Sequence, residues 1–146
     1  MNTRLRIAML SALLLTGAAQ AAEVIDVYRD PNCGCCKAWI KHLESNGFSV
    51  RDHVEPNMSE VKQRLGVAPR LASCHTAVID GKFVEGHVPA AQIRDLKNHP
   101  DLVGIAVPGM PMGSPGMDSG PSKQAYQVIG QSQSDADQVI AEYPGN

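Results

Sequence analysis

The sequence predicts an α/β fold, its elements ordered β-α-β-α-β-β-α, followed by a Met/Gly/Pro-rich loop and a C-terminal hairpin. Three observations lead there. Short β-branched runs alternate with segments of helical periodicity. An Asp-Gly pair joins two of those runs as a tight hairpin turn would. The stretch PGMPMGSPGMDSGPS (108–122) is too rich in Gly, Pro, Ser and Met to form a regular element.

Residues 1–21 stand apart from this pattern. MNTRLR carries two arginines, IAMLSALLLTGAA is a short apolar run, and Ala19-Gln20-Ala21 offers a small-x-small cleavage pattern. That combination predicts a secretory signal peptide cut after Ala21, and hence a periplasmic protein with no membrane segment once the leader is removed. Residues 22–146 are then enough for a single domain. Without Arg4 and Arg6, the 13 basic residues against 15 acidic ones leave a net charge of roughly −4. No basic cluster remains, which excludes nucleic acid as a partner.

EVIDVYR (23–29) alternates apolar and polar residues and reads as the first strand. After the turn DPN, Trp39, Ile40 and Leu43 recur at helical spacing and Gly47 marks the helix stop. FSVRDHV (48–54) is a second strand. NMSEVKQRLGV gives a short helix capped by Asn57 or Ser59, with Val61 and Leu65 inward. HTAVIDGKFVEGHV (75–88) is a hairpin, PAAQIRDLKNH a third helix opened by Pro89, and LVGIAV (102–107) a further strand. AYQVIGQ and QVIAEY predict a terminal hairpin, the second piece being short enough for a helix as well.

The four cysteines occupy positions 33, 35, 36 and 74. Two structural disulfides would be the ordinary use of four cysteines in an exported protein. The adjacent Cys35 and Cys36 make that awkward, since a vicinal pair cannot bond without a strained ring. Cys33 and Cys36 stand in a C-x-x-C frame at a helix start, where the dipole and free N–H groups favour a thiolate. CGCCK differs from the thioredoxin CGPCK at one residue, and the element order resembles that of thioredoxins. The resemblance implies a thioredoxin-like fold. A third thiol beside the pair spoils clean two-thiol cycling. Where thioredoxin-like folds carry a cis-proline facing the dithiol, this sequence has His75, with Cys74 before it.

The topology carries three more segments to the cysteine end of the sheet: Cys74/His75 at the start of the hairpin, His87 at its return, and Met110/Met112 after the last core strand, with Met117 following on the loop. Thiolate and thioether ligands are soft and select Cu(I), whereas a single Zn site has no use for methionines. Four thiolates spread over adjacent positions suit several bridged copper ions. Met58 reads as ordinary packing, His42 as a solvated residue on the outer helix face, and His53 and His99 as residues without converging partners.

DPNCGCCKAWIKHLESNGF, LASCHTAVIDG, VEGHVPA and GIAVPGMPMGSPGM together resemble the DUF411 family, which includes periplasmic copper-resistance proteins. The resemblance spans roughly residues 23–130 and implies copper binding through Cys33, Cys35, Cys36, Cys74 and nearby ligands. It also implies a role in copper tolerance, as a redox protein interconverting Cu(I) and Cu(II) or as a carrier passing copper to other periplasmic copper-handling proteins. Two other readings stay open: a thiol–disulfide oxidoreductase using Cys33 and Cys36, and a structural staple.

Overall fold

A computed structural model describes residues 20–146; the expected leader falls almost wholly outside the described residues. Among the described residues, seven strands and three helices follow the predicted order. They are β1 (Val24–Arg29), α1 (Gly34–Ser45), β2 (Ser49–Val54), α2 (Met58–Arg64), β3 (Thr76–Ile79), β4 (Lys82–Glu85), α3 (Ala90–Asp95), β5 (Leu102–Ala106), β6 (Tyr126–Ser132) and β7 (Asp137–Tyr143). Short 3-10 turns precede β3 and follow α3.

One mixed sheet holds all seven strands in the order β2-β1-β3-β4-β5-β6-β7. β1 runs parallel to β2, and β4 parallel to β5; the other pairings are antiparallel. Tyr28 pairs with Thr76, Thr76 with Glu85, and Glu85 with Ala106. The C-terminal ends of β1, β4 and β5 and the start of β3 therefore share one edge of the sheet. That is the convergence the sequence predicts.

The turn between β3 and β4 is Asp80-Gly81, both with positive φ, as the primed hairpin turns require. α1 buries Trp39, Ile40 and Leu43 against β1, β3 and β4, where Ile25, Val27, Ala77 and Val84 complete an aliphatic core. Asn57 caps α2, its Oδ1 accepting the Glu60 N–H at 3.3 Å. The second C-terminal piece is a strand, not a helix. Tyr126 and Tyr143 stack across that hairpin at 4.7 Å, and Arg70 ties its turn down through Asp135 and Asp137.

One histidine expectation needs correction. His42 is half-buried, and its Nε2 accepts the Ala90 N–H at 3.1 Å. The cause is local: Pro89 precedes α3 without a side-chain cap, so the α1 imidazole supplies the missing acceptor. His53 sits 2.7 Å from Asp26 and stacks on Tyr28, and His99 sits 3.0 Å from Asp95. Each has one carboxylate neighbour and neither belongs to a candidate metal group, in keeping with the sequence expectation.

Candidate metal centre

Four segments build the site. Cys33 is the N-cap of α1, and its Sγ accepts the Cys36 N–H at 3.3 Å. The first helical turn then places Cys35 and Cys36 on different sides: Cys36 is fully buried, and Cys35 is partly exposed. Cys33 and Cys36 are joined as a disulfide, while Cys35 and Cys74 are free. All four sulfurs nevertheless lie within 4.8 Å of one another. Cys35 Sγ is 3.5 Å from Cys33 Sγ and 3.9 Å from Cys74 Sγ.

Cys74 also belongs to a second group. Its Sγ lies 3.2 Å from His75 Nδ1 and 3.2 Å from His87 Nε2. Both imidazoles are fully buried, and burial lowers both pKa values, His75 well below the usual histidine range. They are neutral at neutral pH and offer lone pairs. His87 Nδ1 donates to the Pro115 carbonyl at 2.7 Å, which leaves Nε2 unprotonated and facing Cys74. A backbone acceptor on the far ring nitrogen is the usual support of a ligating histidine. His75 packs on Trp39 and, edge-on, on His87. Its Nε2 is buried with no hydrogen-bond partner among the described residues, an arrangement that costs about 1–3 kcal/mol.

A buried hydrogen-bond network fixes the residues on either side of Cys74 and His75. Glu85, fully buried, accepts from Lys62 Nζ at 2.5 Å, the Ser73 N–H at 2.7 Å and the Thr76 hydroxyl at 2.6 Å. Two of those donors flank Cys74 and His75. The Ser73 hydroxyl donates in turn to the Gly109 carbonyl, tying the methionine loop to the same strand start. Sequence reading missed this network because Glu85 looks like an exposed position in an alternating hairpin. The only available hint was KFVEGHV, where the carboxylate sits two residues before a candidate ligand.

The methionines are less closely drawn in. Met110 is exposed, and Met112 and Met117 are partly buried on the loop after β5. The loop itself is seated on the site. Gly116 has φ +85°, and a Cβ there would lie 2.8 Å from Trp39 N and 3.0 Å from the Cys35 carbonyl. Gly116→Ala is thus expected to lift the loop off α1 and cost roughly 1–3 kcal/mol from the left-handed backbone alone. Chemical denaturation followed by the fluorescence of Trp39, the single tryptophan, measures it. An unchanged midpoint and spectrum would mean the loop is not packed there.

The donor set is soft and dense: four cysteine sulfurs, two of them joined as a disulfide, and two neutral imidazoles. Those residues fit a thiophilic metal ion and offer little to a hard one. Fold and site together define an α/β protein with a cysteine–histidine cluster able to hold metal.

The family profile "Protein of unknown function, DUF411" matches residues 71–117. Two solved structures, described as copper resistance protein copG, Form 2 and Form 1, are each 65% identical to the chain. They align with TM-scores of 0.83 and 0.82, over 84% and 85% of this chain and 99% of theirs. The chain belongs to the DUF411 family. No curated protein matches it.

Proposed function

We propose that this chain is a periplasmic copper-binding protein of copper resistance, with a thioredoxin-like fold that holds Cu(I) in a cysteine-bridged multinuclear site. The observation that carries the reading is the sulfur cluster: four Sγ atoms from two separate segments within 4.8 Å of one another. At that spacing one thiolate can bridge two metal ions. The 65% identity to copper resistance proteins supports copper as the metal. Cys33, Cys35, Cys36 and Cys74 form the sulfur core, and His75, His87, Met110, Met112 and Met117 are the candidates to complete it. In this reading the protein either cycles Cu(I) and Cu(II) or passes copper to another periplasmic protein. The β-α-β-α-β-β-α order with the dithiol on the first helix supports the thioredoxin-like assignment, and the leader residues support export.

The test is elemental analysis of protein purified from copper-supplemented periplasm, with free thiols counted on the same sample. Several coppers per chain are expected, falling to one or none in Cys35→Ser. A second reading, a thiol–disulfide oxidoreductase, is favoured by the Cys33–Cys36 disulfide itself. It predicts copper-free protein that reduces a model disulfide, with activity lost in Cys33→Ser and kept in Cys35→Ser.

A further inference from the structure

The cluster divides into two unequal parts that respond differently to oxidation. The four sulfurs form one group, and Cys74, His75 and His87 form another, with Cys74 common to both. Closing Cys33–Cys36 takes two sulfurs out of the first group, because a disulfide sulfur has no thiolate charge to offer a metal. It leaves the second group whole. In the closed chain Cys74 is a free thiol, His87 Nε2 faces it as a bare lone pair, and His75 Nδ1 completes a compact three-donor set. The His87–Pro115 bond that turns Nε2 toward Cys74 is present with the disulfide formed.

We propose that Cys74, His75 and His87 form a one-copper subsite that operates while Cys33–Cys36 is closed, so that this disulfide sets how many copper ions the chain can hold. The proposal rests on the copper-binding reading above and adds a redox control to it. The closed chain carries one Cu(I); the opened chain carries the multinuclear site. Loading the subsite is not a redox step, since Cu(I) displaces the Cys74 thiol proton to solvent and keeps its oxidation state.

Opening the bond requires a dithiol reductant from outside the chain. The reductant's first thiolate attacks Cys33 Sγ, which is partly exposed, and the buried Cys36 leaves as thiolate. Its second thiolate then attacks the reductant's own sulfur in that mixed disulfide and releases Cys33. The reductant departs as a disulfide, two electrons have passed to the chain, and its two protons end on Cys33 and Cys36. Copper entering later expels those protons. Once copper has displaced those protons, the helix N-terminus behind Cys33 and the Cys36 N–H stabilise the Cys33 thiolate.

The experiment is anaerobic equilibrium dialysis of the full chain against Cu(I) supplied as a weak-ligand complex. Copper is counted per chain, and Trp39 fluorescence is read as a local probe because that ring packs on His75 at 4.3 Å. The chain is tested closed, with two free thiols confirmed by titration, and opened by a dithiol that is then removed. One copper for the closed chain is expected, with quenched Trp39 emission, lost in His87→Ala and kept in His99→Ala. Several coppers are expected for the opened chain. The double variant Cys33→Ser/Cys36→Ser is expected to bind one copper whether or not reductant has been used. If the opened chain binds several ions and the closed chain none, the subsite is refuted and the copper reading stands. A closed-chain copper indifferent to His87→Ala also refutes the subsite. No copper in either form refutes the copper reading itself.

Discussion

Cys74→Ser is expected to strip the chain of copper in every oxidation state, a larger loss than any other single cysteine change. Cys74 is the one residue common to both donor groups, 3.9 Å from Cys35 Sγ and 3.2 Å from each of His75 Nδ1 and His87 Nε2. A hydroxyl of similar size fills the space but remains protonated and hard, so it cannot replace a bridging thiolate. Burial, with Cys35 nearby, pushes the Cys74 thiol pKa up, so at neutral pH a bound copper ion would have to displace its proton, which a soft metal–sulfur bond can do. The loss in affinity should exceed the roughly 10–100-fold typical of removing an outer-shell partner. Competition against a Cu(I) chelator reads it, with thermal unfolding as a check that the fold survives. A Cys74→Ser chain that still carries its full copper complement would place the site elsewhere.

The fold was legible because each element announced itself locally. The Asp-Gly turn fixed the β3–β4 register, and the Trp39/Ile40/Leu43 stripe fixed the inward face of α1. From that order alone, the convergence of Cys33–Cys36, Cys74/His75 and His87 follows, since alternate strands must return to the same edge. What local pattern could not supply were contacts between distant backbones and side chains. The His42 imidazole caps α3 from 48 residues away, and the Pro115 carbonyl that orients His87 lies on a loop with no periodicity. The bond between Cys33 and Cys36 was one of the open alternatives. Spacing permits it equally with metal binding, because a C-x-x-C turn brings two sulfurs together for either purpose.

Glu85 illustrates the same limit with the largest expected effect on stability. Lys62→Ala is expected to destabilise the domain by about 3–5 kcal/mol, the cost of leaving a buried charge without its partner. Glu85 has no exposed surface, and the Lys62 side chain is only 16% exposed, so water cannot take over the missing contact. Burial raises the Glu85 pKa and the Lys62 ammonium opposes that rise, so removing Lys62 drives the carboxyl toward its protonated form. The protonated acid can then accept less strongly from the Ser73 N–H and the Thr76 hydroxyl, the two groups that flank Cys74 and His75. Chemical denaturation of metal-free Lys62→Ala measures the stability term. The double change Lys62→Met/Glu85→Leu should recover part of it, because two apolar groups cost less than one unpaired charge. Recovery will be incomplete, since the Ser73 N–H loses its acceptor in the double variant. A loss below about 1 kcal/mol in Lys62→Ala would show that the pair behaves as a surface ion pair, and that Cys74 is held by the β3 backbone alone.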